Sequence, residues 1–195
     1  YSVKNCLNKL NLKSIITSDD EIIRQSSAAI LPGVGAFGQA MYNIKKLKLD
    51  YSIYKFIETG KPFLAICLGM QLLFETSFEF STNKGLGLLQ GDVKLINGNK
   101  NLKVPHIGWN KINLANHSTR NSVYLKNYDD DFMYFVHSYY VDPTDKKIVL
   151  TTTNYQDFIF CSSVEYKNII AFQFHPEKSG EKGLNIFRNL KKKIS

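Results

Sequence analysis

Along the first half of the chain the apolar positions switch between two periods. Val3, Leu7 and Leu10 recur at helical spacing and predict a helix from Ser2 to Leu10. Ser14 to Thr17 is a short β-type run, and Ser18-Asp19-Asp20-Glu21 has the make-up of a helix cap with acidic residues in its first turn. Ala28 to Leu31 is a short apolar run stopped by Pro32-Gly33, which predicts a buried strand. Ala40 to Leu49 and Ile53 to Thr59 predict helices, the second ended by Gly60. Pro62 to Ile66 predicts another buried strand, and Leu68 to Phe74 a helix that follows without a linker. Such alternation predicts an α/β domain with a mostly parallel central sheet and helices on both faces.

From about Gly85 the pattern changes to short strands and turns, an additional, antiparallel part of the fold. Leu86 to Ile96, Lys111 to Leu114, Met133 to Val136, Ile148 to Thr153, Ile159 to Tyr166 and Ile169 to Phe174 are the candidate strands, and a last helix is expected from about Gly180 to Lys192. No repeat, low-complexity segment or linker interrupts the pattern, so residues 1–195 are expected to form one domain. An α/β domain usually opens on a strand, whereas this chain opens on a helix at Tyr1; a front strand is therefore expected to be missing.

Composition narrows the function classes. With 195 residues and 44% apolar content the chain can bury a sizeable core. No window approaches the roughly 18 uninterrupted apolar residues of a membrane helix, and no secretory signal opens the chain, which leaves the cytoplasm as the expected location. Cys6, Cys67 and Cys161 are too few for a disulfide framework and form no metal-type CxxC pair. The net charge of +8 admits nucleic acid as a ligand, but the lysines are spread out. The terminal run Lys191, Lys192 and Lys193 suits the negative end of a helix dipole. No nucleic-acid, membrane, metal or cofactor partner is expected.

Three segments carry chemistry. In Phe63-Leu64-Ala65-Ile66-Cys67-Leu68-Gly69-Met70-Gln71 an apolar strand runs into Cys67 and a helix begins beyond it. A residue on such an elbow stands clear of the sheet, a helix N-terminus favours thiolate over thiol, and Gly69 lets the backbone approach closely. From position alone Cys67 is also compatible with plain core packing, the reading kept for Cys6 and Cys161. In Phe172-Gln173-Phe174-His175-Pro176-Glu177, His175 and Glu177 stand two apart in an extended segment and face one side. A histidine can take a proton from a nearby thiol while a carboxylate holds its tautomer; a strand-end histidine with a solvated glutamate is the alternative. Leu31-Pro32-Gly33-Val34-Gly35-Ala36-Phe37-Gly38 is a glycine turn between strand and helix. Its N–H groups suit a developing oxyanion, though a merely tight or phosphate-binding turn would look similar. It is neither a dinucleotide fingerprint nor a Walker motif.

As an ordered set, Pro-Gly-Val-Gly, Cys-Leu-Gly-Met-Gln and His-Pro-Glu resemble the class I, triad-type glutamine amidotransferases, a flavodoxin-like α/β fold, over essentially the whole chain. Residues 32–37, 104–110, 134–139 and 175–180 are similar to the glutaminase subunits of imidazole glycerol phosphate synthases of histidine biosynthesis. The resemblance implies glutamine as substrate, a cyclase/synthase subunit as heterodimer partner, and no cofactor. It implies Cys67 as nucleophile, His175 as general base and acid, and Glu177 as orienting carboxylate. Val34, Gly35 and the Leu68 N–H would serve the oxyanion. Gln71, Glu79, Ser138 and Tyr139 would hold the glutamine amino-acid end, although Glu79 read by itself is equally a surface charge. Trp109, Tyr134 and Lys178 would face the synthase and its ammonia passage. His106, His137 and Met70 read as structural. The family pattern begins with an apolar strand and a glycine-containing loop ahead of the point matching Tyr1. Two other functions stay open: a paralogous glutaminase feeding a sugar-modifying enzyme, and a non-catalytic binding subunit of the same fold.

Overall fold

The structure, a computed structural model, describes residues 1–97, 102–115, 122–125, 128 and 131–194. In chain order the elements are α1 (Ser2–Lys9), α2 (Asp20–Gln25), β1 (Ala29–Gly33), α3 (Phe37–Lys46), α4 (Leu49–Glu58), β2 (Phe63–Cys67), α5 (Leu68–Leu72), β3 (Phe74–Ser77), β4 (Asn83–Lys84), β5 (Leu89–Leu95), β6 (His106–Leu114), β7 (Asp131–His137), β8 (Tyr139–Pro143), β9 (Val149–Tyr155), β10 (Phe158–Tyr166), β11 (Ile169–Phe172) and α6 (Gly180–Ile194). A 3₁₀ turn at Pro176–Lys178 joins β11 to α6.

Local signals account for several of these elements. Asp19 caps α2: its carboxylate accepts from the N–H groups of Glu21 and Ile22 at 2.9 and 3.1 Å. Gly60 follows α4 at φ +74°, a conformation glycine adopts without a Cβ penalty. Tertiary contacts move other boundaries. The helix expected at Ala40 to Leu49 starts at Phe37, because the Glu79 carboxylate accepts from the Phe37 N–H. It stops at Lys46, because Lys48 takes φ +55° and the next helix begins at Leu49. α5 ends at Leu72 and not at Phe74. The Leu72 carbonyl is taken by the Leu86 N–H and the Leu73 carbonyl by those of Leu88 and Leu89, and Phe74 enters a strand. Ser14 to Thr17 forms no strand. It has no ladder partner among the described residues, and Ile15 and Ile16 are exposed; a β-type run becomes a strand only where a neighbour supplies hydrogen bonds.

The main path through the sheet runs β1-β2-β11-β10-β8-β5-β3-β4, with β6 and β7 joined to it through β9. β1, β2 and β11 are parallel, as are β3 and β5; the other pairings are antiparallel, and all of them but the short β3–β4 pair lie in or reach into the second half. β2 sits in the middle of the parallel part and is buried along its length. Successive side chains of a strand face opposite sides, so β2 feeds two cores. Phe63 and Ala65 pack with Phe37, Met41, Ile53 and Phe56 of α3 and α4. Leu64 and Ile66 pack with Leu7 of α1 and Ile186, Phe187 and Leu190 of α6. Each such buried Leu, Ile, Phe or Met side chain contributes about 1.5–3 kcal/mol. Helices thus clamp β2 from both faces, and its C-terminal end, Cys67, is held firmly beside Gly33 of β1.

α5 lies so close to β1 that an added Cβ at Gly69 would stand 1.9 Å from the Leu31 carbonyl oxygen. At Gly87, where φ is +64°, a Cβ would meet nothing within 4 Å. Gly69→Ala is expected to cost about 3 kcal/mol in urea unfolding, and Gly87→Ala only the backbone strain of about 1 kcal/mol. Equal costs for the two variants would contradict this packing.

Candidate active site

Cys67 ends β2 and precedes α5 with φ +54° and ψ −115°. A non-glycine residue in that region is strained and is held there by its surroundings. The surroundings are the parallel pairing of Cys67 with Gly33 and the close seating of Gly69 on Leu31. The bend turns the thiol out of the sheet into a cleft of about 270 Å³. Leu68 opens α5, so its N–H has no acceptor inside the helix.

His175 reaches the same cleft from the far side of β2. It follows β11, the parallel neighbour of β2, and its backbone N–H bonds to the Tyr134 carbonyl at 2.9 Å. Its Nδ1 lies 2.8 Å from Glu177 Oε1, and both side chains are only 5% exposed. A carboxylate accepts, so Nδ1 carries the hydrogen and Nε2 is left toward the cleft, without a hydrogen-bond partner among the described residues. Burial pushes the imidazole pKa down, but the Cys67 sulfur and the Glu177 carboxylate outweigh it and lift it to about 9. At neutral pH His175 is therefore an imidazolium with a proton to give.

The cleft collects Val34, Gly35, Cys67, Leu68, Gln71, Glu79, Ser138, Tyr139 and His175. All three predicted oxyanion residues and all four predicted substrate residues are among them. Gly35 sits at φ +93° with open space where a side chain would be, so its backbone conformation is what calls for glycine there. Glu79 is tied to the N-terminus of α3 through the Phe37 N–H, directly after the Val34–Gly35 turn. It is a fixed member of the cleft wall and not a free surface charge. Gln71 donates from Nε2 to the Tyr139 carbonyl and to Gln173 Oε1, both at 3.0 Å.

Trp109, Tyr134 and Lys178 stand outside the cleft, gathered on the outer face of the β6–β7 pair. Trp109 is in register with Tyr134, their ring centroids are 6.1 Å apart, and Lys178 Nζ lies 5.7 Å over the Tyr134 ring. Exposed Ile107 and Phe132 extend the same face. The Tyr134 carbonyl that holds the His175 backbone links this face to the cleft.

Sequence reasoning missed Val136, Gln173 and the part taken by His137. Val136 and His137 line the cleft, and Gln173 Nε2 lies 3.7 Å from Cys67 Sγ. Gln173 had a signal: a glutamine between two phenylalanines of an apolar run must find partners inside. His106 and His137, read from the sequence as structural, are both buried, and His137 also reaches the cleft. Burial lowers their pKa values to about 4 and about 3, so both are neutral. Among the described residues no group of three or more His, Cys, Asp and Glu side chains is arranged to hold a metal ion.

Residues 1–193 match the family model of Glutamine amidotransferase class-I. The chain is 46% identical over 193 residues to the imidazole glycerol phosphate synthase subunit HisH of Aquifex aeolicus, covering 98% of this chain and 90% of that protein. It is 42% identical over 193 residues to the HisH subunit of Oceanobacillus iheyensis, covering 99% and 93%. Among solved structures it superimposes on a glutamine amidotransferase with a TM-score of 0.73 at 15% identity, covering 99% of this chain and 92% of that one.

If the Glu177 carboxylate holds the proton on His175, removing its charge must release that proton at lower pH. An NMR titration of the His175 ring is expected to centre near 9. Glu177→Gln is expected to move the midpoint down by about one unit or more. A wild-type midpoint near 6.5, or one unmoved by the substitution, contradicts the assignment.

Proposed function

The chain belongs to the class-I glutamine amidotransferase family, and on that premise we propose that it is the glutaminase subunit of an imidazole glycerol phosphate synthase, hydrolysing glutamine and passing ammonia to a cyclase/synthase subunit. The observation that carries the reading is that Cys67 and His175 open into one cleft, with Glu177 on the far nitrogen of the imidazole.

At rest His175 holds a proton to give. Glutamine lies with its ammonium toward Glu79 and its amino-acid end along Gln71, Ser138 and Tyr139. Both hydrogens of Gln71 Nε2 are engaged, so Gln71 presents its Oε1 to the substrate. The Cys67 sulfur attacks the side-chain amide carbon. The charge that develops on the amide oxygen is met by N–H groups of the Val34–Gly35 turn and of Leu68. The tetrahedral adduct collapses as His175 gives its proton to the nitrogen, which leaves as ammonia, and a glutamyl thioester remains. Neutral His175 then takes a proton from water, the hydroxide attacks the thioester carbonyl, and glutamate departs as the thiolate and imidazolium re-form.

Ammonia has to stay out of bulk water at this point, since ammonium lacks the lone pair that makes a nucleophile. The outer face with Ile107, Trp109, Phe132, Tyr134 and Lys178 fits a docking partner: it is aromatic and apolar, with Lys178 over the Tyr134 ring and Lys111 over the Phe132 ring, and Tyr134 ties it to His175. With the cognate synthase subunit present, the chain is expected to support glutamine-dependent formation of the imidazole product. Cys67→Ser is expected to abolish this by at least about a thousandfold while added ammonium salts still drive synthesis. Glutamine-dependent synthesis by Cys67→Ser at more than a tenth of the wild-type rate refutes the reading. So does a wild-type chain that hydrolyses glutamine only with a sugar-modifying synthase.

A further inference from the structure

The Cys67 sulfur has a second polar neighbour that the mechanism above does not use. Gln173 is fully buried, and its Nε2 lies 3.7 Å from Cys67 Sγ. Which end of the amide meets the sulfur is settled by what the other groups can donate. The Tyr139 carbonyl can only accept, so Gln71 must turn its NH₂ toward it, at 3.0 Å. The second hydrogen of that NH₂ points at Gln173, also at 3.0 Å, so Gln173 must offer its oxygen there. That leaves the Gln173 NH₂ for the sulfur.

The anchoring carbonyl is itself held from another side. His137 Nδ1 lies 2.8 Å from the Tyr139 oxygen, so this nitrogen carries the hydrogen and Nε2 accepts. His106 Nδ1 supplies the donor, at 3.1 Å. The four side chains of this chain are at most 6% exposed. Inside a protein an amide that has lost water must satisfy its donors, and one bonded to an anion is stronger than one bonded to a neutral group. The thiol form has its own acceptor, the Val136 carbonyl 3.9 Å from the sulfur. The sulfur thus sits between one acceptor that suits the thiol and one donor that suits the thiolate.

We propose that Gln173 is a further catalytic residue: its side-chain amide donates to the Cys67 sulfur and holds the thiolate in the cleft, while Gln71, His137 and His106 act as positioning residues for that amide through the Tyr139 carbonyl. This rests on Cys67 being the nucleophile, as proposed above.

Alkylation of the full chain by iodoacetamide, with the modified residue located by mass spectrometry, reads the sulfur without glutamine. Gln173→Leu removes the donor. Gln173→Glu keeps an oxygen for Gln71 but replaces the donor with a second oxygen. In both, Cys67 alkylation at neutral pH is expected to slow about tenfold, and its rise with pH to move to higher pH, further for Glu than for Leu. A purely packing role would lower the melting temperature without moving the pH profile. Folded variants with wild-type rate and profile overturn the proposal. The wild-type chain gives a measurement that needs no variant: the Gln173 side-chain NH₂ resonances are expected to move when Cys67 is alkylated, and resonances that stay put overturn the proposal. A chain that hydrolyses glutamine through Cys67 yet shows no Gln173 effect loses this inference and keeps the proposed function.

Discussion

The left-handed bend at Cys67 is the constraint on which the site depends. A cysteine at φ +54° does not hold that conformation for its own sake. It is held because β2 is locked between two hydrophobic cores and because Gly33 and Gly69 let β1 and α5 meet without side chains between them. The same parallel register that pairs Cys67 with Gly33 on one edge of β2 places β11 on the other. The glycine turn and the histidine segment therefore arrive at the thiol from opposite sides. Fold and site share one cause: three parallel strands ending together.

Electrostatics then decides what the thiol meets. Burial by itself would make His175 a weak base, as it does for His106 and His137 a short distance away. The difference lies in the partners. His137 faces a backbone carbonyl and another imidazole, neither charged. His175 faces a carboxylate on one nitrogen and the sulfur near the other, and its proton is retained to about 9. Neighbouring histidines in one fold thus hold opposite protonation states at neutral pH.

Much of this was legible in the sequence, and the reasons are local. The elbow, the His-x-Glu pair and the Asp19 cap are short patterns whose geometry is fixed within a few residues, although Glu177 meets His175 through the 3₁₀ turn at Pro176–Lys178 and not through the extended segment expected. Element ends were not legible where distant groups set them. α3 starts early because Glu79, forty-two residues on, supplies an acceptor, and α5 stops early because residues 86–89 capture its last carbonyls. β3 and β8 went unread because Phe74–Ser77 and Tyr139–Pro143 have too little alternation to stand out; they are strands through their pairing with β5 and, on their other edges, with β4 and β10. Gln173 was visible as a polar residue in an apolar run, but its partner could be named only once β11 lay beside β2.

The central claim is a covalent one: the glutamyl group passes through the sulfur of Cys67. Acid quench of the chain during turnover of labelled glutamine, followed by digestion and mass spectrometry, tests it directly. The account predicts a glutamyl adduct on the peptide containing Cys67, labile to hydroxylamine as a thioester is. An adduct on Cys6 or Cys161, or turnover with no adduct on any cysteine under conditions that preserve thioesters, would contradict it.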